Sequence, residues 1–375
     1  MNKKLIALAV AAAIAPAAAM ADSGNVTIYG QAHVSLDNNS YGTSTAGVNS
    51  EKNTRLSSNT SLIGFKGTED LGNGLSAIWQ MEADISMDSR SDAAAATSGG
   101  FASRNTYLGL SSKTMGTALF GKHDSPYKMA TGSLDNMADT VGDYNGIVGQ
   151  VNGVNYFDSR LGNVSAYISP NFSGFSFAGA IVAANETSST TQPDGKAYSL
   201  MGKYENGPFF ASLAREKASN TQTAVSTQTA LPMVGANNDA AATKIGLGYK
   251  IDAFKLGLVW EKISASNATL GATVERKGWS LPVSYTMGAN AINFTYGKAG
   301  STTNTTDNGA KMYALGLNHS LSKRTSAYVV YAKMDNDTNG AYALGLAGTG
   351  HGQTVTPVGT GADVSSLSVG MKHTF

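Results

Sequence analysis

Cysteine is missing from all 375 residues. Its absence excludes a disulfide framework and thiol chemistry, though it leaves an oxidising compartment open. Charge is scarce as well. Asp, Glu, Lys and Arg make up 14% of the chain, where soluble domains carry about a quarter. Past residue 21 no stretch approaches the roughly 18 continuous apolar residues of a membrane helix. If the chain crosses a membrane, it must do so as a closed barrel. Metal spacing is lacking among His33, His123, His319, His351 and His373, and no nucleophile elbow or repeated carboxylate pair suggests hydrolysis. Residues 116–122 match most of a phosphate-binding loop. However, His123 stands where Ser or Thr would hold magnesium, and Pro126 interrupts the helix that should follow. The chain reads as a non-enzyme without cofactor or metal.

What is present is glycine, 43 of them, with abundant Ser, Thr, Asn and Tyr. The start reads as a secretory leader over residues 1–21: Lys3 and Lys4, an apolar run over 5–14, and the small-x-small site Ala19-Met20-Ala21. Losing Lys3 and Lys4 takes 27 bases to 25 against 26 acids, a net of −1. That balance argues against a nucleic-acid partner.

Beyond the leader the rhythm is period two. Val26, Ile28, Gly30, Ala32, Val34 and Leu36 alternate with Thr27, Tyr29, Gln31, His33, Ser35 and Asp37. Candidate strands follow near 53–68, 75–87, 102–111, 116–123, 162–169, 175–184, 196–205, 209–217, 243–251, 254–264, 274–285, 291–298, 310–320, 324–333 and 364–375, sixteen in all. Short turns such as Asn206-Gly207-Pro208 alternate with long connections such as 218–242 and 335–363. An even strand count with short turns at one end and long loops at the other is the signature of an outer-membrane barrel. Sixteen strands leave a water-filled lumen.

Charged residues within strands fall on the small or polar face. Lys244 and Lys250 oppose Ile245, Leu247 and Tyr249; Lys255 and Glu261 oppose Leu256, Leu258 and Trp260. In lipid each lysine would cost roughly 2–4 kcal/mol near the midplane, so that face is expected to be a wet interior. Aromatics near strand ends, among them Trp79, Tyr107, Phe157, Tyr249, Trp260, Trp279, Tyr285, Tyr313 and Phe375, match interfacial girdles.

One stretch breaks the rhythm. Residues 125–149 carry Pro126, Asp135, Asp139 and Asp143, and too many apolar side chains (Met129, Leu134, Met137, Val141, Tyr144, Ile147) for a loop in open water. Long connections without periodicity are usually functional or disordered. This one reads as a loop tucked inside the hollow.

Ile63-Gly64-Phe65-Lys66-Gly67-Thr68-Glu69-Asp70-Leu71-Gly72-Asn73-Gly74-Leu75, Ser125-Pro126-Tyr127-Lys128, Gly142-Asp143-Tyr144, Ser169-Pro170-Asn171-Phe172-Ser173-Gly174-Phe175, Leu321-Ser322-Lys323-Arg324-Thr325 and Val369-Gly370-Met371-Lys372-His373-Thr374-Phe375 together resemble the general diffusion porins of Gram-negative bacteria, particularly the betaproteobacterial and neisserial group. The resemblance implies an all-β, 16-stranded antiparallel transmembrane barrel over 22–375. It implies a homotrimer in the outer membrane, in contact with membrane lipid and lipopolysaccharide. It also implies that the third long loop, about 124–160, narrows a channel for inorganic ions and small solutes. Acids on that loop would face bases on the wall and set a transverse field. On the loop the candidates are Asp135, Asp139 and Asp143; on the wall they are Arg55, Lys66, Arg104, Lys122 and Arg160. Terminal Phe375 resembles the signal read by the barrel assembly machinery, with periplasmic chaperones as further partners. The chain departs from the family where relatives often carry a base, at Leu62 and Leu119. A weakly cation-preferring or nearly unselective pore is therefore expected. The rival readings are a substrate-specific porin for a sugar or small anion, and a barrel enzyme or adhesin.

Overall fold

The computed structural model describes residues 26–88, 102–155, 157–182, 196–219, 239–267, 272–345 and 354–375. The expected leader over 1–21 and His351 lie outside them. Alternating sequences form alternating ladders. The strands are β1 (Thr27–Tyr41), β2 (Glu51–Ser58 with Leu62–Gly72), β3 (Leu75–Asp84), β4 (Thr106–Ser112), β5 (Gly116–Asp124), β6 (Arg160–Ile168), β7 (Phe175–Val182) and β8 (Lys196–Asn206). They continue as β9 (Phe209–Ser219), β10 (Asp239–Ile251), β11 (Phe254–Asn267), β12 (Ala272–Met287), β13 (Asn290–Ala299), β14 (Ala310–Ser320), β15 (Thr325–Asn336) and β16 (Val364–Thr374). The two segments of β2 count as one strand because both pair with β1, on either side of a bend at 59–61. Each strand is antiparallel to its neighbours, and β16 returns to β1 in a ladder from Gln31↔Thr374 to Tyr41↔Val364. The wall is thus a closed 16-stranded barrel with no free edge. Among the described residues no helix is long and apolar enough to cross a membrane.

Closure seals the last residue into the seam. Gly30 and Phe375 exchange backbone hydrogen bonds at 3.1 and 3.0 Å. The Phe375 ring covers Gly30, where a Cβ would come within 2.5 Å of it.

The two faces separate as the alternation predicts. Leu36, Leu56, Leu108, Phe120, Ile181, Leu213, Leu247 and Leu315 are exposed on the outward face. Ser35, Asp37, Ser199, Lys244, Glu261, Arg276 and Thr295 are buried on the inward face. Strand boundaries shift modestly. β1 runs through Tyr41 and β2 starts at Glu51, so the connection expected over 38–52 is shorter. Two aromatics leave the expected girdle. Tyr107 shares a face with Gln80, to which its hydroxyl donates at 3.3 Å, and faces the lumen. Phe157 lies off the strands, fully buried against the Tyr127 ring at 5.7 Å.

Candidate functional site

Residues 125–159 leave β5 and turn back at once. Ser125 caps a four-residue helix, α1 (Pro126–Met129), its hydroxyl accepting from the Lys128 N–H at 3.1 Å. Short 3₁₀ turns follow at Gly132–Leu134 and Tyr144–Gly146. The segment then lies along the inward face of the wall. Tyr127, Ala130 and Phe157 pack on Ala178, Met201, Ala214, Ala242 and Ile263. Leu134, Tyr144 and Val148 meet Val259. Met137, Val141 and Ile147 meet Met312, Ala314, Val330 and Met334. The wall makes room with glycine: a Cβ on Gly246 would stand 2.7 Å from Thr131 Cγ2. The apolar residues that seemed too many for a loop are the ones that dock it.

Charge fastens it further. Glu261 and Arg276 form a fully buried pair at 2.6 Å. Glu261 also accepts from Tyr127 Oη at 3.0 Å and from the Gly149 N–H at 2.8 Å. Arg276 Nη2 donates to the Ile147 carbonyl at 2.6 Å and to that of Gln150. Lys244 pairs with Asp158, which accepts from Tyr144 Oη at 3.1 Å and Asn145 Nδ2 at 2.8 Å. The Lys244 ammonium sits 4.2 Å from the centre of the Tyr127 ring. Lys244 and Glu261 therefore have the inward parity expected, but their surroundings are dry. A buried ion pair survives desolvation only with such added hydrogen bonds.

The three loop acids go to different places. Asp143 caps the second 3₁₀ turn, accepting from the Asn145 N–H at 2.8 Å and the Asp139 N–H at 3.1 Å. Asp135 accepts from the Met137 and Tyr144 N–H groups. The carboxyls are adjacent, Asp143 buried and Asp135 half-buried. Burial, and for Asp135 the neighbouring Asp143 charge, raise Asp135 well above the usual carboxylate range. Burial pushes Asp143 up to about 6. The two hold the loop's own backbone. Asp139 alone reaches across, taking a hydrogen bond from Thr60 Oγ1 at 2.9 Å and lying 3.7 Å from Lys372 Nζ.

Of the wall bases, three gather. Arg104 lies 3.0 Å from Asp84 and 3.7 Å from Glu82. Arg160 lies 3.3 Å from Asp124 and donates to Asn105 at 2.7 Å. Lys122 donates to the Ser103 carbonyl at 3.3 Å. Arg55 and Lys66 stand apart. Arg55 donates to the Thr354 carbonyl at 3.2 Å. Lys66 is exposed, with its ammonium 4.9 Å from the centre of the Tyr29 ring. Sequence reasoning passed over Glu82, Asp84, Asp124, Lys128 and Lys372, the charges nearest these candidates. The inward parity of Glu82 and Asp84 on β3 was the available signal. Leu62 and Leu119 are both buried on the inward face.

A closed sixteen-stranded wall, greasy outside, with a charged interior crossed by a docked loop, defines the class of outer-membrane channels. Residues 7–339 match the profile of the Gram-negative porin family. The chain is 31% identical over 386 residues to the major outer membrane protein P.IB of Neisseria lactamica, covering the whole of both chains. It is 29% identical over 391 residues to outer membrane porin protein 32 of Delftia acidovorans, again end to end. The fold matches a solved anion-selective porin from Comamonas acidovorans with a TM-score of 0.73 at 23% identity, covering 94% of this chain and all of the other. The chain belongs to the Gram-negative porin family, and it is an outer-membrane porin for diffusion of small solutes.

Proposed function

We propose that residues 124–160 form the constriction of this pore and that its filter is electrostatically weak. Small hydrophilic solutes pass by size. Ions feel a transverse field between Asp139 on the loop and the Arg104, Lys122 and Arg160 group on the wall. The observation that carries this reading is the local neutralisation of that group. Arg104 stands against Glu82 and Asp84, and Arg160 with Lys128 against Asp124, the last pair at 3.2 Å. Leu62 and Leu119 add no base to the inward face. The similar Comamonas porin is named as anion-selective. This chain departs from that behaviour toward weak cation preference or near-neutrality. The assembly is a homotrimer, and Phe375 serves as the address read by the assembly machinery and its chaperones. Reversal potential across a planar bilayer in a KCl gradient tests the filter. A value near zero or slightly cation-selective is expected, whereas strong chloride preference would overturn it. Ohmic steps in threes are expected from the trimer, and saturation of conductance by one sugar would favour a substrate-specific pore instead.

A further inference from the structure

Between residues 135–138 of the loop and the barrel wall lies a half-open cavity of about 220 Å³. Its wall side is one inward row across β13–β16 and β1, near the short-turn end of the barrel. Asn318 is opposite Tyr328, Ser326 is opposite Lys372, and Lys372 is opposite His33. Asn293 extends the row onto β13. Met137 on the loop and Val330 on the wall add apolar surface.

The polar groups around the cavity are of two kinds. Some hold the structure. The Tyr328 hydroxyl meets His33 Nε2 at 2.9 Å and Asn59 Nδ2 at 3.4 Å. Asn136, on the loop side, accepts from Thr295 Oγ1 at 2.8 Å and donates to the Val283 and Phe294 carbonyls at 2.8 and 3.2 Å. Others hold nothing. The side chains of Asn293, Asn318 and Ser326 make no hydrogen bond among the described residues, and Asn318 Oδ1 is shut off from solvent as well. A buried oxygen without a donor is costly to keep, so water or a solute must supply one. An amide or a hydroxyl both donates and accepts. Three such side chains side by side match a row of hydroxyls, which also do both. Charge argues against an ion. The one cation, Lys372, already has Asp139 at 3.7 Å, and Asp135 lies on the loop side of the cavity. No net positive charge is left for a carboxylate or a phosphate. The occupant must also be small. A volume of about 220 Å³ holds roughly seven waters and falls below the roughly 300 Å³ at which sites for larger ligands begin.

We propose that this cavity binds one small neutral polyhydroxylated solute, a monosaccharide or a sugar alcohol. Asn293, Asn318 and Ser326 pair with its hydroxyls, Lys372 donates to one more, and its carbon skeleton lies against Met137 and Val330. The inference rests on the pore reading for the solute's access and not on the ion filter. A solute held between loop and wall also ties the two together. The test uses the full protein in a polyoxyethylene detergent, which carries no sugar. It is titrated with glucose, with mannitol and with lactate, and read by saturation-transfer NMR of the solute and by protease cleavage within 125–159. Glucose or mannitol should bind saturably and slow cleavage, and added salt should change binding by less than about twofold because no charge is neutralised. The double variant N293L/N318L nearly keeps the side-chain shapes and loses the hydrogen bonds, so binding should weaken at least about tenfold. S326A should weaken it about threefold. Without sugar, both variants should keep the parental single-channel conductance, which separates a failure of this proposal from a failure of the pore reading. Absence of saturable binding by both neutral solutes, or equal binding by the double variant, overturns the proposal. So does tighter binding of lactate, which would make this an anion site on Lys372. If the double variant does not fold, S326A decides the question, and undiminished binding there overturns the proposal.

Discussion

Two arcs of the inward face gather charge, and they use it in opposite ways. On β10–β12, Lys244, Glu261 and Arg276 lie fully buried beneath the docked loop, every one bonded to a loop atom or to a neighbour that is. On β3–β6, Arg104, Arg160 and the acids beside them keep some access to solvent. The first arc is dry, so its charges act at short range as fasteners. The second, the wet arc, is only partly covered, so its charges are the ones the proposed filter uses. The same residue types at the same parity therefore have different roles, and what decides the role is whether a loop lies on top. This comparison can be broken from either side.

The dry arc should respond most. Replacing Glu261 with Gln removes the negative partner of a buried guanidinium, and leaving such a charge unpaired costs about 3–5 kcal/mol. The barrel ladders do not depend on this pair, so the cost should fall on docking of residues 125–159. Glu261→Gln is expected to raise single-channel conductance, add open-state noise and expose the loop to protease, while the closed barrel survives. Arg276→Met, which removes the other charge, should behave similarly. Wild-type conductance together with wild-type proteolysis in both variants would sink the fastener role.

A base added next to the wet arc should alter selectivity instead. Leu119 is buried on the inward face of β5, next in line to the Lys122 group. Leu119→Arg puts an unneutralised cation into a gap walled by low dielectric, where fields are focused. The reversal potential should move toward chloride severalfold in permeability ratio, with conductance changing by less than about half. An unmoved reversal potential would mean that the ion path does not run beside β5.

The loop's own acids give a smaller and pH-dependent effect. Asp135 and Asp143 lie side by side in the docked loop, and withdrawal from solvent raises both. A carboxyl whose pKa is raised by folding binds its proton more tightly in the docked state. Its contribution is therefore fully present below the ordinary carboxylate range and is lost as pH rises through about 6, the Asp143 value, and beyond. The sign is that acid tightens the loop. Protease cleavage within 125–159 should be slower at pH 5 than at pH 8, and Asp135→Asn should flatten that difference. Faster cleavage at pH 5 would reverse the assignment.

How much of this was legible follows from period. Wall, strand count and face assignment came from alternation, because a side chain's face in a strand is fixed by counting in twos. Thus Lys66, Leu62 and Gly64 could be placed together by counting alone. The loop has no period. Nothing in its sequence separates Asp143, which turns inward to cap Asn145, from Asp139, which reaches Thr60. Both are aspartates within four residues of each other, with Gly142 between them. Parity also gives direction and not depth, which is why Lys244 was placed correctly on the inward face and wrongly in water. Lys277 and Lys298 show the complementary limit. Charge on a strand was expected to mark the interior, yet near the loop ends the outward face meets headgroups rather than oil, and lysine is at home there.

The smallest effect is expected where the wet arc thins out. Lys66 lies on the inward parity of β2 but is exposed, 4.9 Å from the centre of the Tyr29 ring, opposite Gln80 and one rung removed from Glu82. An exposed cation over an aromatic face contributes about 0.5–1 kcal/mol, and salt screens its charge within about 8–10 Å. Lys66→Gln should therefore shift the reversal potential by much less than Leu119→Arg, and only at low salt. Lys66 was a candidate filter residue on parity alone. If its removal moved selectivity as far as the Leu119→Arg substitution does, the field would be spread along the whole wall, and the division into a dry fastening arc and a wet filtering arc would have to be redrawn lengthwise.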